Sequence, residues 1–212
     1  MRDTEAFWAG EFGDAYIERN RGRVRANEHF FSRALGIILT AHKEPHSVLE
    51  FGAGAGENLL ALRAVLSTVS YPSFPLFIRM TGIEINKAAC AELATVADQA
   101  ICESFLDWQS GGRTWDLVLS KGLLIHVAPG DLQLAYQKIH ATAGRYILIA
   151  EYFNPTPVEV PYRGHAGRLW KRDFAGELLD AYQDLHLLDY GFVYHRDPLP
   201  QDDLHWFLLE RR

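Results

Sequence analysis

A chain of 212 residues with 48% hydrophobic content can bury one substantial core, and its formal net charge of −6 argues against general nucleic-acid binding. Its two cysteines, Cys90 and Cys102, are too few for a disulfide framework or a metal cluster; they read as small buried side chains, and no metal is expected. Met1 to Gly10 has no basic segment followed by an apolar run, and no stretch of about 18 uncharged apolar residues occurs, which predicts a cytoplasmic protein without a membrane span.

Residues 4–40 read as helical, with Phe7, Trp8, Phe12 and Tyr16, then Phe30, Phe31, Leu35, Ile38 and Leu39, at roughly helical spacings. Gly10, Gly13 and Gly22 interrupt the pattern, which predicts two helices with a break near residues 20–23. Arg19, Arg21, Arg23 and Arg25 form an alternating basic run, expected to be a solvated face. Residues 47–51 are the first strand and 57–66 the helix behind it. Between them Gly52, Gly54 and Gly56 stand at alternate positions, where positive φ and close approach to the backbone are both available. A loop at 71–75 delays the second strand, 76–83; a helix at 86–96 and a short strand at 99–102 follow. The second half repeats the alternation: strand 115–120, helix 131–142, strand 145–151. Residues 152–172 are irregular and longer than a connector needs. A helix at 174–182, capped by Asp173, leads to strands at 187–194 and 204–210, an antiparallel hairpin. Five strand–helix alternations closed by a hairpin predict a single α/β domain, a doubly wound and mostly parallel sheet with helices on both faces.

A strand, a glycine turn and a helix N-terminus make a nucleotide-sized cradle at the carboxyl end of a parallel strand. Glu50, just before the turn, suits a cofactor bearing a cationic group and is badly placed for a pyrophosphate. Glu84 ends the second strand, where an acid can accept both ribose hydroxyls; Asp107, past the third, could accept from an adenine amino group. Each acid alone is an ordinary loop residue; three at successive strand ends make coincidence a poor explanation.

The run Val48-Leu49-Glu50-Phe51-Gly52-Ala53-Gly54-Ala55-Gly56, with Gly82-Ile83-Glu84-Ile85 and Trp115-Asp116-Leu117-Val118-Leu119-Ser120, resembles the class I S-adenosylmethionine-dependent methyltransferases. Phe7-Trp8-Ala9-Gly10-Glu11-Phe12-Gly13-Asp14-Ala15-Tyr16, Ser120 to His126, Glu151 to Pro157, Tyr162 to His165 and Lys171 to Gly176 are similar to the methylases associated with pseudaminic acid biosynthesis. The resemblance implies a Rossmann-like fold and S-adenosyl-L-methionine as cofactor, with S-adenosyl-L-homocysteine as product. It places the methionine part on Gly52, Gly54 and Gly56, the ribose on Glu84 and the adenine on Asp107, with Glu50 and the strand-end neighbours Ile85, Trp108 and Ser120 beside them.

Methyl transfer from a sulfonium needs mainly an aligned, desolvated acceptor, and a base only where the acceptor carries a proton. Candidates at the carboxyl ends of the fourth and fifth strands are His126, Glu151 and Tyr152. The competing reading of His126 is a histidine bonded to the backbone at a strand–helix junction. Trp8, Phe12 and Tyr16 share a helical face, which fits a lid with Trp8 and Tyr16 against the cofactor or plain packing on the sheet. Between Pro161 and Arg172 stand Arg163, Arg168, Lys171 and Arg172, with His165 and no acid. That points to a small anionic acceptor, such as an acidic sugar, held by Arg163 with His165 and Tyr162 nearby; the rival is a loop kept soluble by its charges. Two other functions fit less well: a catalytically silent cofactor-binding partner module, and a nicotinamide-dependent oxidoreductase, whose fingerprint is G-x-G-x-x-G where this chain has G-x-G-x-G.

Overall fold

A computed structural model describes residues 1–68 and 77–212. Four helices open the chain: α1 (Asp3–Ala9), α2 (Glu11–Arg19), α3 (Val24–Ala34) and α4 (Gly36–Thr40). The expected two are each split, the first at Gly10, whose extended ψ ends α1, and the second where Leu35 leaves helical geometry. Then come β1 (Ser47–Phe51), α5 (Glu57–Thr68), β2 (Arg79–Ile83), α6 (Lys87–Leu93), β3 (Gln99–Ile101) and β4 (Trp115–Lys121). The expected 71–75 loop lies outside the described residues, and β2 starts three residues later than predicted. Next are α7 (Leu132–Thr142), β5 (Ala143–Glu151), a short hairpin of β6 (Val158–Glu159) and β7 (Trp170–Lys171), α8 (Phe174–Ala181), β8 (Leu185–Val193) and β9 (Leu204–Arg211). The small hairpin inside the supposedly irregular 152–172 segment was not foreseen, because two-residue strands carry no period.

The main sheet has seven strands in the order β3-β2-β1-β4-β5-β9-β8, parallel except for β9, which runs antiparallel to β5 and β8. Both faces are buried, so the inner strands read as continuous apolar runs, and successive residues feed opposite cores. Val48, Met80, Leu117 and Leu148 join Phe30 and Phe31 of α3 and Leu59, Leu62 and Leu66 of α5 on one side. Leu49, Val118, Ile147 and Ile149 join Leu132 and Ile139 of α7 and Phe174 and Leu178 of α8 on the other. Reversal of strand order between β1 and β4 opens a crevice at the carboxyl edge, where a ligand site is expected in such sheets.

The cysteine expectation is corrected. Cys90 on α6 is buried, but Cys102 is exposed, and the two form a disulfide with Cα atoms 5.7 Å apart. The pairing joins α6 to the segment that leaves β3, a proximity that a separation of 12 residues does not reveal by itself.

Candidate active site

One cavity of about 500 Å³ occupies this crevice, a size suited to a cofactor and a small partner. Its floor is the glycine turn. Gly52 N and Ala53 N donate to Ile83 O at 2.9 and 3.0 Å, which ties the turn to the end of β2. Gly52, Gly54 and Gly56 have φ of 70, 54 and 89°, but their reasons differ. A Cβ on Gly54 would meet no atom within 4 Å, so this glycine faces the open cavity. A Cβ on Gly56 would press on Leu93 and Val96 at 3.1–3.2 Å; Gly56 admits α6 and does not line the cavity. Gly82 in β2 was missed: its Cβ would meet Ala53 Cβ at 2.8 Å, and a glycine inside a strand is the available signal of such a close approach.

Glu84 stands in the wall, its carboxylate accepting from Gly54 N at 2.8 Å and Asn86 N at 2.7 Å. Burial raises its pKa, and those backbone donors oppose the rise. Ile85 lines the cavity beside it. Glu50 is fully buried behind the wall, where Asn58 Nδ2 donates to Oε1 at 2.6 Å; burial pushes its pKa up to about 8. Glu50 Oε2 and Asn58 Oδ1 are buried acceptors with no donor. Asp107 takes a place other than the one expected. Its exposed carboxylate pairs with Arg2 at 3.0 Å, outside the cavity, because α1 reaches over that corner of the sheet. Trp108 is buried against Phe51 and Trp115, and the wall after β3 is made by Glu103, Ser104, Phe105 and Leu106.

Glu151 and Ser120 lie beneath the wall and do not reach the cavity. The Glu151 carboxylate accepts from Ser120 Oγ at 2.8 Å and from Leu123 N, Leu124 N and Ile125 N at 3.1, 3.0 and 3.4 Å. It therefore caps the short 3-10 turn Leu124–His126 and presents His126, while burial raises its pKa to about 7. His126 Nδ1 lies 2.6 Å from Arg168 O. A carbonyl only accepts, so Nδ1 carries the hydrogen and Nε2 keeps its lone pair. Burial lowers the His126 pKa to about 4, with the Arg168 carbonyl opposing. The histidine is thus bonded to the backbone, as the competing reading expects, and it also lines the cavity. Tyr152 lines the cavity too, with Lys171 Nζ 5.1 Å from its ring centre, and burial raises its pKa.

The N-terminal helices close the cavity from above. Trp8 lies 4.4 Å from His126, 5.2 Å from Tyr16 and 6.2 Å from Tyr162 between ring centres. Tyr16 lines the same space, its pKa pushed up to about 12 by burial. Asn86 Nδ2 donates to Asp14 Oδ1 at 2.7 Å and to Trp8 O at 3.3 Å, and Glu57 accepts from Gly22 N and Arg23 N, both at 2.7 Å. The same strand-end turns that shape the floor thus anchor the cover. Gly13 permits it, since a Cβ there would sit 1.9 Å from Trp8 O.

Of the 161–172 segment, Tyr162 and Arg163 line the cavity, whereas His165 is exposed, packed on Phe7 and Phe12 at 5.0 and 5.6 Å. Two of the cations are matched from elsewhere in the chain: Arg168 by Asp3 at 2.5 Å and Arg172 by Glu177 at 2.6 Å. The basic run that begins at the end of α2 is solvated as expected, with Arg19, Arg21 and Arg25 exposed, and its first three members also line the cavity. Sequence reasoning missed Asn27, Lys121 and Gln201 altogether. Lys121 Nζ and Gln201 Nε2 donate to Asn27 Oδ1 at 3.3 and 3.1 Å, and burial lowers the Lys121 pKa to about 8 against the pull of Glu50. Nothing in their spacing signals that α3, β4 and the approach to β9 converge.

The strand order, the antiparallel β9 and the crevice define the class I S-adenosylmethionine-dependent methyltransferase fold. The 1,6-didemethyltoxoflavin N1-methyltransferase of Burkholderia thailandensis, solved with S-adenosylhomocysteine, superposes with TM-score 0.67 at 18% identity, covering 98% of this chain and 86% of that one. Magnesium protoporphyrin IX methyltransferase of Synechocystis, solved with S-adenosylmethionine, gives 0.64 at 12% identity over 100% and 99%. A plantazolicin methyltransferase with S-adenosylhomocysteine gives 0.62 at 17% over 99% and 94%. No family model matches the chain, and no curated sequence is significantly similar to it.

Proposed function

We propose that this chain is a single-domain S-adenosylmethionine-dependent methyltransferase acting on a small, anionic acceptor. The observation that carries the reading is Gly54: its bare α-carbon faces open cavity while its N–H donates to Glu84, the acid that would meet the ribose in this reading. The residues fit the cofactor. Glu84 keeps free lone pairs for hydroxyl donors, and the donorless Glu50 Oε2 and Asn58 Oδ1 suit the field of an amino-acid ammonium. When bound, S-adenosylmethionine supplies a methyl group already activated on a sulfonium.

The chain's own residues then have four tasks. Gly52 and Gly54 offer backbone, Glu84 orients, Trp8 and Tyr16 keep water out, and His126 Nε2 accepts a hydrogen bond that orients the acceptor. Glu151 acts through His126 by fixing its turn. Ser104 and Phe105 take the adenine side in place of Asp107 and Trp108. The acceptor would enter between Tyr152 and Arg163; an acidic sugar agrees with the motif resemblance to the pseudaminic acid-associated methylases. The three neighbours are named for a toxoflavin precursor, a porphyrin and plantazolicin, so the fold leaves the acceptor open. Among the described residues no helix is long and apolar enough to cross a membrane.

Calorimetric titration with S-adenosylhomocysteine and with NAD tests the cofactor. Saturable binding of the first alone is expected, and binding of NAD alone would favour the oxidoreductase. Methyl release from labelled cofactor over an acceptor panel separates an enzyme from a silent partner module.

A further inference from the structure

Cations line the cavity from two sides, and most are already matched. Arg21 bridges Glu18 and Glu92 at 2.7 and 2.8 Å, Arg23 pairs with Asp202 at 3.1 Å, and Lys121 is held by Asn27. Among the described residues, Arg19 and Arg163 have no carboxylate within ion-pairing distance, yet both stand on the wall. Arg19 lies at the end of α2, its guanidinium 5.2 Å from the Phe12 ring centre and 5.9 Å from that of Tyr16. Arg163 lies 6.0 Å from the ring centre of Tyr162. The Phe12 and Tyr162 rings are themselves 5.9 Å apart. One aromatic seam between the N-terminal cover and the acceptor loop thus carries a guanidinium on each side.

The loop presents its arginine stiffly. Tyr162 and His165 exchange both backbone hydrogen bonds, at 2.8 and 3.0 Å, around a two-residue turn in which Arg163 and Gly164 have φ of 49 and 86°. Such a turn suits asparagine or aspartate at its first central position, and an arginine there is strained. Its side chain offers no internal ion pair in return. A ligand that needs the guanidinium accounts for that choice.

We infer that Arg19 and Arg163 form a two-point clamp for one anionic group of the acceptor, a carboxylate or a phosphate, so that the bound acceptor itself ties the cover to the loop. Planar guanidinium forks suit both anions, and the ring of Tyr162, which lines the cavity, gives the rest of the molecule an apolar flank. The clamp rests on the methyltransferase reading and adds to it a residue, Arg19, from the N-terminal cover.

The test uses the full chain saturated with S-adenosylhomocysteine, titrated at constant ionic strength with inorganic phosphate and, separately, acetate, and followed by tryptophan fluorescence. Arg19→Gln, Arg163→Gln and the double variant are compared with wild type. The clamp predicts saturable binding of at least one anion, weakened about tenfold by either substitution, with the double variant little worse than each single. Which anion saturates assigns carboxylate or phosphate. Affinity for S-adenosylhomocysteine should stay within about twofold in every variant. A wild-type complex that binds neither anion overturns the clamp, as does an Arg19→Gln protein that loses S-adenosylhomocysteine itself, since Arg19 would then serve the cofactor. A wild-type protein indifferent to S-adenosylhomocysteine overturns the methyltransferase reading first.

Discussion

Replacing Glu84 with alanine separates the two duties of the acid at the end of β2. In the free protein its carboxylate accepts from Gly54 N at 2.8 Å and Asn86 N at 2.7 Å. Those donors border an open cavity, so water can take over much of their pairing, and the stability loss should be modest, about 1 kcal/mol. Binding is affected differently. A bound cofactor excludes that water, and the ribose hydroxyls lose a charged acceptor with no replacement. Hydrogen bonds to a charged group contribute about 1.5–3 kcal/mol, and after partial compensation a net loss of about 1–3 kcal/mol remains, roughly 5- to 150-fold in affinity. Glu84→Gln keeps one carbonyl acceptor and the side-chain volume, and should fall between the two. Calorimetry with S-adenosylhomocysteine measures the affinity, and thermal melting checks that each variant is folded. A folded Glu84→Ala protein with unchanged affinity would refute the ribose assignment.

Gly54→Val should cost more than Glu84→Ala, at least 100-fold in affinity, because its side chain would fill the cradle and resist a φ of 54°; tight binding in the same calorimeter would contradict this. Gly13→Val should expel Trp8 from its place and weaken cofactor binding while the sheet stays folded, since the clash is with Trp8 O inside the N-terminal cover. Loss of the circular dichroism of the whole fold would instead make the cover part of the core. His126 should stay neutral well below its ordinary pKa, with its ring NMR shifts unmoved until pH about 4. The sign for stability follows: the unfolded chain takes up this proton below about pH 6.5 and the folded chain only near 4, so stability falls by roughly 3 kcal/mol across that window as pH drops. A midpoint near 6.5 would remove the buried-neutral assignment.

Much of this was legible before any coordinates. Val48 to Phe51, Trp115 to Ser120 and Tyr146 to Ile149 are apolar runs of strand length, and runs buried on both faces look the same in sequence and in space. The glycine turn and Glu84 were found by order along the chain, which in this architecture is also order along the edge of the sheet. What failed was whatever depends on a partner distant in sequence. Asp107 stands one turn past β3, where an adenine acid was expected, but Arg2 claims it, and no local pattern joins residues 105 positions apart. Glu151 was read as a candidate base or as a group orienting the acceptor or His126, and sequence could not choose; its four donors come from Ser120 and from the turn it caps, the turn that presents His126. Cys102 was misread for the same reason, and that the solvated Arg19 to Arg23 run borders the cavity was not visible. Each was judged by its neighbours in sequence, and what decides its role is α6 or the cavity.

The state of His126 bears on what the site can methylate. A histidine with a pKa near 4 is a weak base, poorly matched to removing a proton from an alcohol. It is well matched to staying uncharged. An imidazolium on this wall would add a second positive charge to a cavity that must also hold a sulfonium, and its buried walls would screen the two poorly. Holding Nδ1–H on Arg168 O and stripping water from the ring keeps Nε2 as an acceptor without that charge. Such a group orients an acceptor that is already deprotonated or readily becomes so, which is what a carboxylate, an acidic hydroxyl or a free amine requires. The proposed clamp of Arg19 and Arg163 on the wall would select the anions in that set. The low basicity of His126 and the two wall arginines that have no carboxylate partner among the described residues therefore point to the same proposed acceptor, one that arrives with its negative charge already formed.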